Sequence, residues 1–107
     1  MLTYKINHII SQERADFINH LFKLTDKEIY GIYGYRHGET IIESAVFPDN
    51  TQINVILVIC ENDTPHAEAA MVRDGHEICR TAIENSFIGT WTLEYEDSKY
   101  IVDITSA

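Results

Sequence analysis

Apolar and polar residues alternate at the start of the chain and then change period. The alternation runs from Leu2 to Ile10 and predicts a strand with one face turned toward a core. Ser11 is a favourable helix N-cap. After it, apolar residues recur at helical spacing from Gln12 to Leu24, which predicts an amphipathic helix. The chain therefore begins with a strand followed by one N-terminal helix.

The next segment allows two interpretations. Glu28 to Phe47 is rich in Tyr, Ile and Val around His37-Gly38, which favours two antiparallel strands joined by a short loop. Thr25 and Glu28 have the spacing of a capping box, which would instead begin a second helix. Two glycines and three tyrosines follow immediately, and these residues have low helix propensity. The strand interpretation is therefore favoured.

A turn and a buried strand come next. Pro48-Asp49-Asn50 is rich in turn-forming residues. Gln52 to Cys60 is then nearly continuous in branched aliphatic residues, as is typical of a strand buried on both faces. This strand is predicted to form the centre of the sheet.

Residues 64–86 are ambiguous between a hairpin and a helix. Thr64-Pro65 is a suitable helix start, so a second helix near residues 65–86 is one interpretation. That helix would carry Asp74-Gly75 within its apolar stripe, whereas Asp-Gly between two apolar runs is a strong hairpin signal. The hairpin is favoured, with the cross-strand pairs Val72 with Glu77 and Met71 with Ile78.

The last segment predicts another hairpin. Apolar residues at alternate positions of 91–95 and 100–104 face the same way, with residues 96–99 as the connecting turn. The pattern contains no linker, repeat or low-complexity segment. It predicts a single globular domain over residues 1–107 of the α+β class, with one N-terminal helix packed on an antiparallel, hairpin-rich sheet.

Composition and charge restrict the possible partners. Seventeen acidic residues against eight basic ones give a formal charge of −9, which repels nucleic acid and attracts basic protein surfaces.

No apolar run approaches the roughly 20 residues that cross a bilayer, and the N-terminus lacks the features of a secretory signal. Cys60 and Cys79 are expected to be free thiols. These features predict a cytoplasmic protein that binds neither nucleic acid nor membrane.

The sequence contains fragments of catalytic motifs but no complete one. His66-Ala67-Glu68 resembles half of the zinc deaminase signature, but the later Pro-Cys-x-x-Cys is missing. His76 and Cys79 would share a helical turn, yet in a strand they would point to opposite faces. We therefore expect no catalytic residue, metal site or cofactor. A site assembled only by the fold, with His37, His66 and His76 as polar groups, is the alternative.

Two groups of residues have the character of an interaction surface. Tyr30, Tyr33 and Tyr35 lie on a predicted strand that leads to His37, and tyrosine is common in interfaces. The alternative places Tyr33 and Tyr35 in the core. The acidic residues of the terminal hairpin face away from its apolar side, either as a binding stripe or as a solvated face. The predicted partner-binding residues are Tyr30, Tyr33, Tyr35, His37, Glu94, Glu96, Asp97 and Asp103.

The combination of high negative charge and absent catalytic motifs favours a non-catalytic binding protein. We expect it to neutralise or inhibit a basic protein partner, as toxin-immunity proteins and inhibitors of nucleases or host-defence enzymes of the anti-CRISPR or anti-restriction type do. One alternative is a small-molecule-binding domain or small enzyme with a histidine and carboxylate site. Another is a homo-oligomeric structural module, such as a homodimer.

Overall fold

Seven strands and two short helices make up the described part of the chain. The structure is a computed structural model, and it describes residues 2–34, 37–60, 65–83 and 88–107. Strands hold 60% and helices 19% of these residues. The elements in chain order are β1 (Leu2–Ile10), α1 (Gln12–Leu21), α2 (Asp26–Tyr33), β2 (Gly38–Val46), β3 (Gln52–Ile59), β4 (His66–Arg73), β5 (His76–Ile83), β6 (Gly89–Tyr95) and β7 (Ser98–Ser106).

The strands form two sheets, so the predicted fold of one helix on one antiparallel sheet is wrong. The chain is mostly β, with a small α+β-like architecture. One sheet has the order β1-β7-β6, and the other has the order β2-β3-β4-β5. β1 and β7 run parallel, with Leu2 opposite Ser98 and Ile10 opposite Ser106. The local pattern of β1 carries no information about a parallel partner at the far end of the chain, and such a pair needs a long connection.

The core lies between the two sheets. One buried cluster joins side chains of β7 and of both helices to alternate residues of β3, which are Ile53, Val55, Leu57 and Ile59. Ala15, Ile18 and Leu21 bury one face of α1 in the same cluster. The four-stranded sheet therefore covers the core with one face and turns the other face away from it.

The second helix corrects the prediction that Glu28 to Phe47 forms two antiparallel strands joined by a short loop, because the chain is helical over Asp26–Tyr33. The Thr25 hydroxyl accepts from the Glu28 amide at 3.3 Å, and the Thr25 amide donates to the Glu28 carboxylate at 3.3 Å. This is the capping box that the sequence permits. Ile29 is buried within the helix, and Gly34 ends it in the left-handed conformation at φ 82°. The second glycine of the segment thus ends the helix rather than preventing it.

Replacing Thr25 with alanine is expected to lower the free energy of unfolding by about 1 kcal/mol, because one orphan amide of α2 loses its acceptor. Thr25→Ser keeps the hydroxyl and is the matched control. Urea denaturation of both variants checks the prediction. Equal losses in the two variants would show that the cap hydroxyl contributes nothing.

The hairpin favoured in residues 64–86 is confirmed for the described part of that segment. β4 and β5 pair antiparallel, so a helix near residues 65–86 is wrong for the described part of that segment. Asp74 and Gly75 both have positive φ, 53° and 80°, as a two-residue type I′ turn requires. Val72 lies opposite Glu77 as predicted, but a bulge places Met71 opposite Cys79 rather than Ile78.

Three other elements agree with the pattern. Ser11 caps α1, β3 is an inner strand of its sheet, and β6 and β7 form the terminal hairpin. Within the part of the chain that the structure describes, neither helix has the length and apolar character needed to cross a lipid bilayer.

Candidate interaction surface

One face of the four-stranded sheet points away from the core. We call it the outer face. Strand register assigns its members, since side chains directly opposite each other share a face. They are Glu39, Ile41, Ser44 and Val46 on β2; Gln52, Asn54, Ile56 and Val58 on β3; His66, Glu68, Ala70 and Val72 on β4; and Glu77, Arg80 and Ala82 on β5.

The middle of the outer face is apolar. Ile56 is 5% exposed and Ala70 is 0% exposed, yet neither belongs to the core cluster. Beside them, Ile41 and Val46 are each 57% exposed. An antiparallel sheet whose second face meets only water usually alternates apolar-in with polar-out. The exposed side chains of Ile41 and Val46 are therefore typical of an interaction surface.

A carboxylate-rich cluster surrounds Arg80 beside this apolar middle. The Arg80 guanidinium donates to Glu39 at 2.6 Å and to Glu68 at 3.0 Å. It also donates to Glu77 at 2.6 Å. His66 contacts the other oxygen of Glu68 at 2.7 Å. Because three carboxylates share one guanidinium, the cluster keeps a negative charge and attracts cations.

The hydrogen bonds of this cluster shift two pKa values. The bond with His66 lowers the pKa of Glu68, and the bond with Arg80 acts in the same direction against the effect of burial. Bonds to Glu77, Glu39 and Glu68 raise the pKa of Arg80 above its usual value. Glu68 and Arg80 therefore stay charged over the whole physiological range.

A polar network ties the turn end of the same sheet to β7. The Tyr100 hydroxyl donates to Asp49 at 2.8 Å and accepts from Arg73 at 2.6 Å. Asp49 also accepts from the amide and the hydroxyl of Thr51, each at 3.0 Å. The Arg73 guanidinium lies 5.3 Å from the ring centroid of Tyr95. We call Asp49, Thr51, Arg73 and Tyr100 the polar network.

The network moves the pKa values of Asp49 and Tyr100 apart. Burial opposes ionisation of Asp49, but bonds from Thr51 and Tyr100, with the charge of Arg73, hold its pKa below the usual 3.8. Burial and the bond to Asp49 raise the pKa of Tyr100 above 10.0. Tyr100 and Arg73 bond to the β2–β3 turn and to each other across different strands, so the network has a structural role.

A groove lies beside the network, between the β2–β3 turn and the β4–β5 turn. Its volume is about 900 Å³, part of it open to solvent. Val46, Gln52 and Val72 line it and also belong to the outer face. The groove is therefore the turn end of the outer face. The other lining residues are Asp49, Asn50, Arg73, Asp74 and Gly75.

A smaller cleft of about 170 Å³ lies between the two sheets. At its edge, His8 contacts Glu43 at 2.7 Å, and Arg14 donates to the same carboxylate at 3.4 Å. Arg14 also donates to the carbonyl of Ile42. Trp91 lines the cleft, and its buried Nε1 has no hydrogen-bond partner among the described residues. The cleft is smaller than the usual range of ligand pockets.

The predicted tyrosine strand is wrong, because Tyr30 and Tyr33 lie on α2. Tyr30 is 52% exposed, whereas Tyr33 is half-buried against the core. His37 is exposed just before β2. Tyr35 lies outside the described residues. The binding role of these four residues stays a prediction.

The predicted acidic residues lie along the terminal hairpin without forming one uninterrupted stripe. Glu94 is opposite Lys99, whose Nζ is 4.0 Å from its carboxylate. Asp103 accepts from Thr90 at 3.0 Å. Glu96 and Asp97 are exposed in the turn. These residues belong to the three-stranded sheet or its turn, and their binding role also stays a prediction.

The histidines of the alternative hypothesis are not gathered. His66 and His76 lie at opposite ends of the β4–β5 hairpin. Among residues 2–34, 37–60, 65–83 and 88–107, no group of three or more His, Cys, Asp or Glu side chains is arranged to hold a metal ion. Cys60 and Cys79 are both free.

Sequence reasoning missed the outer face, although β3 contained a signal for it. The branched aliphatic run was interpreted as burial by other elements on both faces. Burial of β3 on both faces is confirmed, since Asn54 and Ile56 on the outer face are 6% and 5% exposed, although the core cluster lies on the face of Leu57. The run shows that β3 turns apolar residues toward the outer face, but it does not reveal the exposed Ile41 and Val46 on β2.

Comparison with known protein families, with curated proteins and with solved structures gave no match. The function is therefore argued from the arrangement of residues, since a fold alone does not define an activity.

Proposed function

We propose that this protein is a non-catalytic binding protein that docks on a basic partner protein through its outer face. The observation that carries the proposal is the exposed apolar surface of β2 on that face, where Ile41 and Val46 are each 57% exposed and lie outside the core cluster. Exposed apolar area next to charged residues is the usual composition of a protein interface.

The charge of the outer face and its turn end supports a basic partner. Among the described residues, this surface carries five carboxylates and two guanidinium groups: Glu39, Asp49, Glu68, Asp74 and Glu77 against Arg73 and Arg80. This excess of negative charge has the same sign as the net charge of the whole chain, −9. Complementary charge accelerates association and selects the partner, and salt weakens it.

The proposed effect of docking is inhibition. A small rigid protein that covers a basic site denies that site to its anionic substrate, as immunity proteins and inhibitors of nucleases or defence enzymes do. The two free cysteines favour a reducing compartment such as the cytoplasm.

Replacing Ile41 with arginine tests the proposal. The variant adds a positive charge to the outer face and removes an exposed apolar contact, so we expect affinity for the partner to fall at least about tenfold. The partner is first isolated by low-salt affinity capture from the host, then purified, and the dissociation constant is measured by calorimetry at low and high salt. The substitution leaves the core intact, and circular dichroism checks the fold.

Ile9→Arg is the matched control, because Ile9 is 61% exposed on β1 in the other sheet. We expect this variant to bind the partner as the wild type does. An equal loss of affinity in Ile41→Arg and Ile9→Arg would contradict the proposal. An affinity that salt does not change would also contradict it. Tyr30→Ala and Glu94→Gln in the same assay measure the surfaces predicted from sequence.

A further inference from the structure

The groove at the turn end of the outer face has the chemistry of a subsite for one basic side chain. Its floor is a cross-strand row, with Val46 opposite Gln52 and Gln52 opposite Val72. The two valines present aliphatic surface on either side of an amide. Lysine and arginine bury their alkyl stems on such surface while keeping the charged head among polar groups.

Hydrogen-bond acceptors lie around that floor. Asp74 is exposed in the β4–β5 turn, and no hydrogen bond or ion pair engages its carboxylate among the described residues. Asn50 is exposed in the opposite turn. Gln52 donates through Nε2 to Asn54, which leaves its side-chain oxygen to accept a bond.

The guanidinium of Arg73 also lines the groove, but it does not cancel the attraction of the groove for a cation. Arg73 donates through Nε to Thr51 at 3.2 Å and through Nη2 to Tyr100 at 2.6 Å. Its Nη2 is also 3.7 Å from the Asp49 carboxylate. Arg73 and Asp49 therefore neutralise each other, and Asp74 supplies the remaining charge of the groove.

The geometry points to this groove as the subsite that receives an arginine or lysine side chain of the partner, with Val46 and Val72 along the stem and Asp74 at the cationic head. The inference rests on the proposed function, since it names the group that the outer face recognises. It goes further because it names one end of that face as the contact and a basic side chain of the partner as the group bound there.

The test uses small probes on the whole protein and needs no partner. Nα-acetyl-arginine N-methylamide is titrated into ¹⁵N-labelled protein at low salt, with the lysine, citrulline and aspartate analogues as parallel probes. We expect saturable shifts of the Asn50, Asp74 and Gly75 amides with the arginine and lysine probes. We expect no saturable change with the uncharged citrulline or the anionic aspartate probe.

Asp74→Asn is expected to lower the affinity for the arginine probe at least about threefold, which corresponds to the free energy of one exposed ion pair. Glu13→Gln makes the same charge change on α1, away from the groove, and is expected to leave the affinity unchanged. Equal binding of citrulline, preferential binding of the aspartate probe, or equal effects of the two variants would overturn the inference. Docking through the outer face would still stand if Ile41→Arg, which lies outside the groove, weakened the partner complex.

Discussion

Replacing Tyr100 with alanine is expected to lower the free energy of unfolding by about 3–5 kcal/mol, the usual cost of truncating a buried aromatic residue. Its ring is 1% exposed, stacks on Tyr4 at 5.2 Å and meets Phe47 edge-on at 5.0 Å. The substitution leaves a cavity at the place where β1, β7 and the β2–β3 turn meet. Urea denaturation followed by tryptophan fluorescence measures the loss.

Tyr100→Phe separates the ring from the hydroxyl. This variant keeps the packing but removes the donor to Asp49 and the acceptor for Arg73. We expect a loss of about 1–3 kcal/mol, because charged groups at a half-buried site lose a hydrogen bond. A loss for Tyr100→Phe as large as that for Tyr100→Ala would contradict the assigned role of the ring.

Replacing Asp49 with alanine is expected to cost about 2–3 kcal/mol, since Tyr100 and Thr51 lose their common acceptor and Arg73 loses its counter-charge. The cost depends on pH. The pKa of Asp49 lies below 3.8 in the folded protein, so the unfolded chain binds the proton first. The stabilisation is therefore complete above the unfolded value and disappears as the pH falls through the folded one.

Asp49→Asn isolates this pH dependence, because it keeps the shape of the side chain and removes the titration. The free energy of unfolding is measured by urea denaturation at several values between about pH 2 and pH 5. Glu68 also has a lowered pKa. Its protonation therefore lowers the free energy of unfolding of both proteins to a similar extent as the pH falls. We expect the wild type to lose more stability than Asp49→Asn on acidification. Parallel curves would show that Asp49 ionisation does not stabilise the fold.

The local elements were predictable where a residue determines its own neighbourhood. Ser11 at the start of α1 and Asp74-Gly75 at the β4–β5 turn act within a few residues, and both predictions are confirmed. The bond from the Thr51 amide to Asp49 is likewise local, as an Asx turn is. At α2 two local signals conflicted, and burial of Ile29 in the core accompanies the capping box that prevailed.

The candidate site was less predictable because its members are distant in sequence. Arg80 on β5 meets Glu39 on β2 only because three antiparallel pairings bring four strands side by side. The apolar residues of the outer face were visible in β3, but an aliphatic run does not tell which of its faces the core covers. Of the predicted tyrosines and acids, Tyr30, Glu94, Glu96 and Asp97 are exposed, whereas Tyr33 and Asp103 are half-buried.

The sequence by itself determined the charge, the N-caps, the turns and most strand positions, since these follow from composition and from contacts a few residues apart. Only the tertiary structure decided that β1 pairs with β7, that the strands divide into two sheets, and that Tyr100 meets Asp49 and Arg73. Those choices depend on contacts between distant segments, where loop-closure entropy and core packing act on the whole chain. The outer face exists because, among the described residues, the core cluster lies against the other side of the four-stranded sheet.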